Sequence, residues 1–376
     1  MALTLRAGPA WVDALERVWA DGDAVAPVDG RAPAHHTAGL MAMLAPGAVI
    51  GDDGVRRAVD GGRPTDDGDA VVMATSGTSS EPRGVVLTHD ALAFAADASN
   101  GVVDPDGGAR WLACLPLHHI GGFTVVSRAR RAGTRAVVHD GFDAVEVTAA
   151  ARAGCTHTSL VPTTLGRIDP AVFRLILLGG SAIPAGRPPN CVATYGMTES
   201  CAGVVYDGRP LPGVEVRIAG AETVGAIELR SPSLLRCYRD GTSPVDPDGW
   251  YRTGDVGSID PAGTLTVSGR ADDVIITGGE KVWPDAVEQV LREDPGVAAV
   301  AIIGRPDPEW GEAVTAVVVP TDAAHPPTLA ALRGRVRATM PVAAAPRALE
   351  VVTSLPVTAL GKVRRAALRA QPPRRG

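Results

Sequence analysis

Short apolar segments alternate with amphipathic ones between residues 88 and 180, and this alternation constrains the fold more than any other feature of the sequence. The apolar segments predict strands at residues 111–117, 134–138, 158–161 and 175–178. Helices are predicted at 124–132 and 145–153, and Thr88 or Asp90 is the candidate N-cap of an earlier helix. Strands that alternate with helices indicate an α/β fold with a mostly parallel sheet covered by helices on both faces.

Polar clusters directly follow several of the apolar runs. They lie at residues 75–83, 118–122, 179–181 and 195–200. Ligands of such sheets bind beyond the carboxyl ends of the strands. We therefore expect these clusters to form one shared site.

The first cluster lies in the segment VVMATSGTSSEPRGVV, residues 71–86. A predicted strand at 71–74 runs into small and hydroxylated residues, an arrangement that brings backbone N–H groups and hydroxyls close to phosphate oxygens. Arg83 adds a positive fork for phosphate charge. The segment is not a Walker A loop, because six residues separate Gly77 from Gly84 and the cation precedes the second glycine. A solvated surface loop is the alternative interpretation.

Length and composition indicate a globular protein of two domains. The chain has 376 residues, of which 45% are hydrophobic and 21% charged. Its net charge of -6 gives no reason to expect a nucleic-acid partner. No apolar stretch is long enough to span a bilayer, and the N-terminus lacks the apolar core of a signal peptide. Five scattered cysteines without zinc spacing predict reduced, buried thiols, so we expect a cytoplasmic protein.

The two ends of the chain lack the regular alternation of strands and helices seen in residues 88–180. Residues 1–69 begin with a predicted helix at 11–20 and continue as a Gly-, Pro- and Asp-rich entry to the main domain. A small β subdomain is predicted from Gly213, with strands at 214–218, 225–230 and 265–268. A compact α+β part follows, with strands at 274–277, 298–303 and 313–319 and helices at 284–293 and 329–338. The predicted domains are residues 1–269 and 270–376.

Four polar residues are candidates for chemistry, and each has a structural alternative. Glu199 beside hydroxyls could hold Mg²⁺ or could lie at a helix N-terminus. Asp255 could accept hydrogen bonds from ribose or could cap a turn. His119, in the pair His118-His119, could line a pocket or be structural. Lys362 could be catalytic or a solvated tail lysine.

Eight segments taken together resemble the adenylate-forming acyl-CoA ligase superfamily. They occur in the expected order and cover about residues 70–368: TSGTSSEPRG, LPLHHIGG, SLVPTTL, LLGGSAI, YGMTES, GWYRTGDVG, GRADDVIITGGEKVWP and LPVTALGKVRR. The resemblance implies a large N-terminal domain with a small β subdomain and a small mobile C-terminal domain.

Within this superfamily the chain most resembles the 2-succinylbenzoate–CoA ligases of menaquinone biosynthesis. The short length, the segment SLVPTTL from Ser159 onwards, and PLHHIGG followed by Arg128 carry this resemblance. The substrate of that family is a dicarboxylate, so one carboxylate reacts while the other needs a cationic partner. Arg128 is a physically sensible partner, and a surface helix residue is the alternative.

The resemblance implies two half-reactions, in which ATP activates a carboxylic acid as acyl-AMP and coenzyme A then displaces AMP. The residues with implied catalytic roles are Lys362, Glu199, Arg83 and His119. Glu199 and Thr75 would bind Mg²⁺. The acid would contact His119, Arg128, Ser159 and Gly196. The implied ATP and AMP contacts are Thr75, Ser76, Gly77, Thr78, Ser79, Arg83, Gly179, Gly180, Ser181, Ala182, Tyr195, Gly196, Met197, Thr198, Asp255 and Arg270.

The resemblance also implies that the C-terminal domain works in two orientations. Asp272 falls at the hinge position. Lys362 would face the site for adenylation, whereas Gly278, Gly279 and Lys281 would face it for thioester formation, with the glycines making room for the CoA arm. A homodimer is plausible.

The chain departs from the family pattern in its phosphate loop. Arg83 stands where lysine is usual, and Ser79-Ser80-Glu81 replaces the common Thr-Gly-small sequence. Arginine keeps the positive charge, so we expect activity to survive. The carboxylate of Glu81 is less favourable there, because it carries the same sign of charge as the phosphates. Two other functions stay open: a ligase of another acyl or aryl acid, including one that loads a carrier protein, and a non-catalytic nucleotide-binding relative.

Overall fold

The computed structural model describes residues 1–75, 82–181, 183, 186–220, 223–357 and 363–372. The chain forms two compact units. The first comprises residues 1–216 and 229–251, and the second comprises residues 217–228 and 252–376. The predicted division into residues 1–269 and 270–376 stays a prediction.

Through residue 210 the chain forms the following elements, in order: β1 (Ala2–Leu3), α1 (Pro9–Ala20), β2 (Ala26–Pro27), α2 (Ala34–Leu44), β3 (Ala48–Ile50), β4 (Arg56–Ala58), β5 (Asp69–Ala74), β6 (Gly84–Thr88), α3 (His89–Val103), β7 (Trp111–Ala113), α4 (Ile120–Arg131), β8 (Val137–Val138), α5 (Ala144–Arg152), β9 (His157–Leu160), α6 (Pro162–Leu165), β10 (Leu175–Leu178), β11 (Cys191–Met197), β12 (Ala202–Tyr206) and β13 (Arg209–Pro210).

The remaining elements, in order, are β14 (Glu215–Ala219), β15 (Gly225–Arg230), β16 (Cys237–Tyr238), β17 (Tyr251–Ile259), β18 (Leu265–Arg270), β19 (Ile275–Thr277), β20 (Glu280–Val282), α7 (Pro284–Arg292), β21 (Val297–Asp307), β22 (Gly311–Pro320), α8 (Leu329–Thr339), β23 (Ala348–Val351) and α9 (Arg365–Ala370).

A seven-stranded sheet in the order β13-β12-β11-β10-β9-β7-β8 forms the centre of the first unit. The strands from β11 to β8 are parallel, whereas β12 pairs antiparallel with β11 and β13 pairs antiparallel with β12. On one face Leu112, Leu160 and Ile176 pack with Val147 of α5 in a buried cluster. The predicted mostly parallel sheet is confirmed, and its buried strands explain the continuous apolar runs.

The connection after β5 differs from the expectation. Strand β6 pairs antiparallel with β5, and β16 pairs with the other edge of β6. The Ser- and Thr-rich segment therefore joins two strands of a hairpin. Helix α3 starts only after β6, and Thr88 is its N-cap, since Oγ1 of Thr88 accepts a hydrogen bond from the Ala91 amide at 3.1 Å.

The first 69 residues contain more structure than expected. Strands β2, β1, β3 and β4 form a four-stranded sheet in that order, and α2 follows β2. Strand β1 pairs in parallel with both β2 and β3, so that Ala2 lies opposite Ala26 on one side and Val49 on the other. These partners are far apart in the sequence. Strands of two or three residues are too short to give a periodic signal in the sequence.

The second unit contains most of a sheet in the order β14-β15-β17-β18 and a further sheet in the order β20-β19-β22-β21, with β23 parallel to β22. Ile275, Val287, Ile302 and Leu332 belong to one buried cluster that joins this second sheet to α7 and α8. The predicted β subdomain and α+β part are thus confirmed. No helix among the described residues is long and apolar enough to cross a membrane.

Candidate active site

The base of the Ser- and Thr-rich loop is closed by Thr75 and Arg83. The Thr75 amide donates to the Arg83 carbonyl at 2.8 Å. In return, the Arg83 amide donates to Thr75 Oγ1 at 3.0 Å. Gly84 follows, where an added Cβ would lie 2.8 Å from Cβ of Arg239. The loop therefore leaves the hairpin from a fixed base.

Tyr238 connects this base to Glu199. The Arg83 guanidinium lies 3.6 Å from the centroid of the Tyr238 ring, and the Tyr238 hydroxyl donates to Glu199 Oε1 at 3.2 Å. Arg83 also donates to Thr242 Oγ1 at 3.3 Å and lies 3.7 Å from Asp240. Burial raises the pKa of Tyr238, and the nearby Glu199 carboxylate raises it further, so the hydroxyl remains a donor. The structure thus brings together the predicted phosphate cation and the predicted magnesium ligand.

A tight turn fixes Glu199 at the end of β11. Glu199 lies in a short 3₁₀ turn with Thr198 and Ser200, directly after Met197. Ser200 Oγ accepts from the Met197 amide at 3.0 Å and donates to the Ala202 carbonyl at 2.9 Å. Cys201 and Ala202 have φ values of 55° and 78°, a region that non-glycine residues seldom occupy. A turn held in this conformation by Ser200 gives the carboxylate a defined position.

Gly196 is required by the strand pairing next to this turn. A Cβ at Gly196 would lie 1.9 Å from the Ala202 carbonyl oxygen, and the pairing of β11 with β12 shifts register between Tyr195 and Gly196. Close approach of the backbone therefore explains the glycine without a ligand. Its predicted contacts with acid and nucleotide stay predictions, as do those of Tyr195, Met197 and Thr198.

Gly179, Gly180 and Ser181 follow β10 at the same edge of the sheet. Leu178, the last residue of β10, pairs with Leu160 of β9 and Ala193 of β11. Three of the predicted polar clusters, at 118–122, 179–181 and 195–200, thus follow β7, β10 and β11 of one sheet, whereas the cluster at 75–83 follows β5 of a separate sheet, and the single shared site stays a prediction. A Cβ at Gly179 would lie 2.5 Å from Thr194 Oγ1, and Gly180 has a φ of +85°.

His119 lies at this edge, at the start of α4. It is the N-cap residue of α4, and its carbonyl accepts from the amides of Gly122 and Phe123. Gly122 allows this turn, because a Cβ there would lie 2.4 Å from the Pro116 carbonyl oxygen. The ring of His118 is 4.4 Å from that of His119 and lines a cavity of about 230 Å³ shared with Trp11 and Arg31. The two histidines thus differ in their surroundings.

Arg128 is buried between α4 and the sheet, with 4% of its surface exposed. Its Nε donates to Ser99 Oγ at 2.9 Å, and its Nη2 lies 3.5 Å from the Tyr206 hydroxyl. The guanidinium carbon is 5.5 Å from the centroid of the Trp111 ring. Nη1 is buried and has no hydrogen-bond partner among the described residues. The alternative that Arg128 is a surface helix residue is therefore wrong.

Ser159 belongs to the sheet face that α4 covers. It lies within β9, two residues after His157, whose ring is 5.1 Å from Trp111. Residues two apart in a strand share a face, so Ser159, His157 and Trp111 face the layer that contains Arg128. The side chain of Ser159 is buried. Two of the predicted acid contacts, Ser159 and Arg128, thus lie on the same side of the sheet.

Asp255 and Arg270 are brought together in the second unit. They are paired across β17 and β18, and Arg270 Nη1 donates to Asp255 Oδ1 at 3.3 Å. The same nitrogen donates to the Thr253 carbonyl at 3.1 Å. Gly254 has a φ of +75°, and a Cβ there would lie 2.9 Å from Arg270 Nη2. The predicted ribose contacts thus form a preorganised pair, although their binding role stays a prediction.

The predicted hinge and CoA residues also lie in the second unit. Asp272 is exposed in a 3₁₀ turn at Ala271–Asp273. Gly278 and Gly279 form the two-residue connection of the β19–β20 hairpin with φ values of 59° and 83°, which favour glycine. A Cβ at Gly278 would lie 2.9 Å from the Trp310 ring. Lys281 is exposed on β20.

Several predicted residues lie outside the described residues, and their roles stay predictions. They are Ser76, Gly77, Thr78, Ser79, Ser80, Glu81, Ala182 and Lys362.

Sequence reasoning missed three residues of the site, namely Tyr238, Ser99 and Tyr206. Tyr238 lies 39 positions from Glu199, and Tyr206 lies 78 from Arg128. No local pattern connects such positions. The one weak signal was chemical, because an arginine that is buried needs acceptors and Ser99 is a polar residue in the segment that follows the helix start at Thr88.

The five cysteines are free thiols, four of them buried and Cys237 half-buried. Burial raises the pKa of Cys114 to about 11. It also raises the pKa values of Cys155, Cys191, Cys201 and Cys237. The predicted reduced, buried thiols are confirmed.

Comparison with known proteins identifies the family. Residues 20–239 match the AMP-binding enzyme family, and residues 286–362 match the AMP-binding enzyme C-terminal domain. A probable 2-succinylbenzoate–CoA ligase of Mycobacterium tuberculosis (strain H37Rv) is 40% identical over 337 residues, which cover 82% of this chain and 85% of the relative. An indoleacetate–CoA ligase of Aromatoleum aromaticum is 34% identical and covers 78% of this chain and 66% of the relative.

Solved structures agree with this assignment. The o-succinylbenzoate CoA synthetase of Bacillus subtilis, in complex with an acyl-adenylate intermediate, aligns with a TM-score of 0.87 at 26% identity, covering 100% of this chain and 88% of that chain. The same synthetase in complex with ATP and magnesium ion aligns with a TM-score of 0.84 at 26% identity, covering 98% and 88%. With both domains matched and a relative 40% identical over 82% of the chain, this protein belongs to the AMP-binding enzyme family.

Proposed function

We propose that the protein is an AMP-forming acid–CoA ligase that activates 2-succinylbenzoate with ATP and transfers it to coenzyme A, as a cytoplasmic step of menaquinone biosynthesis. The observation that carries the choice of acid is the buried Arg128, whose Nη1 has no hydrogen-bond partner among the described residues. A buried cation without a carboxylate is unfavourable unless a ligand supplies the anion. A dicarboxylic acid supplies one and keeps its second carboxylate for the reaction.

The length of α4 fits such a substrate. Arg128 is eight residues beyond Ile120, the first residue of α4, so it lies about 12 Å along the helix axis from the edge with His119. The carboxylate that reacts would lie at that edge, near His119 and Gly196. The other carboxylate would reach down the layer that contains Ser159 and accept from Arg128.

The nucleotide would bind at the same edge. Thr75 to Arg83 would hold the β- and γ-phosphates, Gly179 to Ala182 and Tyr195 would frame adenine, and Asp255 with Arg270 would bind ribose. Glu199 and Thr75 offer oxygen donors, which suit magnesium, and the Tyr238 hydrogen bond orients the Glu199 carboxylate. A magnesium ion bound there would neutralise phosphate charge.

Two half-reactions follow from these contacts. The acid carboxylate attacks the α-phosphate and pyrophosphate leaves, with Lys362 bridging the attacking carboxylate and the phosphate. The CoA thiolate then attacks the acyl carbon and AMP leaves. Both steps ask the protein mainly for positioning and charge stabilisation. Rotation at Asp272 would exchange Lys362 for the Gly278–Gly279 hairpin, which would leave room for the CoA arm.

The test is pyrophosphate release with ATP and Mg²⁺ for three acids, namely 2-succinylbenzoate, benzoate and indoleacetate. We expect 2-succinylbenzoate to be preferred, and Arg128→Gln to lower kcat/KM for it by about 100-fold, because a buried charge-assisted contact is lost. The same variant should change kcat/KM for monocarboxylates by less than about threefold, as they have no second carboxylate.

A different preference would keep the ligase and change the acid. Preference for indoleacetate with no effect of Arg128→Gln would favour an aryl-acid ligase, which the 34% identity to the Aromatoleum aromaticum ligase makes the second candidate. Release of pyrophosphate that no CoA-dependent thioester follows would favour transfer to a carrier protein. Absence of release with every acid would favour a nucleotide-binding role. A homodimer is compatible with each result.

A further inference from the structure

A half-buried ionic cluster lies at the start of α9 in the second unit. Arg365, the first residue of α9, donates to Glu288 Oε1 at 2.7 Å, to Asp273 Oδ2 at 3.2 Å, and to Asp285. Its side chain is 12% exposed, and that of Glu288 is 1% exposed. Arg369, one turn later, adds an ion pair with Asp273 at 3.2 Å. Helix α9, helix α7 and the 3₁₀ turn at Ala271–Asp273 therefore meet at one guanidinium.

This cluster also joins two segments that matter for the proposed chemistry. Asp273 ends the 3₁₀ turn that contains Asp272, the predicted hinge residue. Arg365 follows Lys362 by three positions. The chain on either side of the lysine segment is tied together, because Val357 pairs with Val363 and the Arg364 amide donates to the Pro356 carbonyl at 2.8 Å.

We propose that Arg365 is a positioning residue for adenylation, which fixes the base of the Lys362 segment to Asp273 beside the hinge. The inference rests on the proposed function of Lys362. A lysine that moves into the site by rotation needs a rigid connection to the axis of that rotation. The Arg365 guanidinium supplies this connection, since it donates to Asp273, the residue after the hinge, and to two carboxylates of α7.

The connection matters for one half-reaction only. Adenylation needs Lys362 at the α-phosphate, so a loose base misplaces the cation. Thioester formation uses the Gly278–Gly279 hairpin, whose backbone is held by β19, β20 and Trp310 and which, among the described residues, forms no hydrogen bond or ion pair with Arg365. A loss confined to adenylation therefore distinguishes positioning from general stabilisation.

The experiment compares Asp273→Ala and Arg365→Lys with wild type in the full-length enzyme. Adenylation is followed by pyrophosphate release, thioester formation by consumption of CoA with a supplied acyl-adenylate, and backbone opening at residues 355–364 by hydrogen exchange. We expect kcat for adenylation to fall by about 10- to 100-fold, since a displacement of about 1 Å can have that effect. Thioester formation should stay within about twofold, and exchange at 355–364 should become faster.

Arg305→Lys is the matched control. Arg305 is buried, forms a bidentate pair with Glu350, and donates to the carbonyls of Arg369 and Gln371 at the far end of α9. This variant should lower the melting temperature without changing the ratio of the two half-reactions. Equal losses in both half-reactions for Asp273→Ala would overturn the proposal. Unchanged exchange at 355–364 would also overturn it, and that readout holds even if wild type activates none of the acids.

Discussion

Two arginines with little exposed surface, Arg128 in the first unit and Arg365 in the second, have opposite surroundings. Arg365 is bound by three carboxylates, from Asp273, Asp285 and Glu288. Arg128 contacts two hydroxyls and an aromatic ring, and its Nη1 has no partner among the described residues. The charge of Arg365 is thus compensated by the protein itself, while that of Arg128 is available to an anion from outside. Burial alone does not tell a structural cation from a binding one, whereas the partners do.

The largest effect that tests this contrast is on stability. Arg365→Met should lower the free energy of unfolding by about 3 kcal/mol, because it leaves the buried Glu288 carboxylate with less compensation. Urea denaturation of the purified protein measures it. Arg292→Met removes a more exposed cation from the same carboxylate and should lower the free energy by less. An unchanged midpoint for Arg365→Met would mean that the cluster stabilises nothing.

A smaller effect should appear at the hydroxyls that hold Arg128. Tyr206→Phe removes the oxygen that lies 2.8 Å from Ser99 Oγ and 3.5 Å from Arg128 Nη2. We expect KM for 2-succinylbenzoate to rise about fivefold, which corresponds to one hydrogen bond of about 1 kcal/mol, with little change in kcat. KM for a monocarboxylic acid serves as the control. A change of kcat alone would contradict a role in binding the acid.

The smallest effect is expected for Arg128 itself in the absence of substrate. Arg128→Met should change the free energy of unfolding by less than about 1 kcal/mol, since it leaves no carboxylate unpaired and Ser99 can still bond Tyr206. Denaturation without ligand measures this change. A loss as large as that of Arg365→Met would show that Arg128 is structural, and the contrast between the two arginines would fail.

The sequence predicted those parts of the fold that have strong local signals. Helix α5 was expected at 145–153 and spans Ala144–Arg152, with Asp143 as a side-chain cap. Strand β10 was expected at 175–178 and has those bounds. Helix α4 starts at Ile120, four residues before the expectation. Glycine is a poor helix former, so Gly121 and Gly122 obscure the start, although close packing against the Pro116 carbonyl requires a glycine at position 122.

The missed parts depend on distant partners. Strand β6 is recognisable only through β5 and β16, and the latter lies about 150 residues away in the sequence. In the site, too, local signals identify single residues, whereas their partners follow only from tertiary packing. Arg128 was predicted through a resemblance, yet its burial and its partners Ser99 and Tyr206 follow from tertiary packing. The link from Arg83 through Tyr238 to Glu199 likewise arises from the way separate strands meet.

The buried cysteines have a consequence for an enzyme with this chemistry. An acyl-adenylate is an electrophile that reacts with any thiolate it meets, and the thiolate is the reactive form of cysteine. Burial raises the pKa of Cys114 to about 11 and also raises the pKa values of the other four thiols, so each has a smaller thiolate fraction at neutral pH than an exposed cysteine. We therefore expect little acylation of the enzyme's own thiols, so that the activated acid persists until an external thiol arrives.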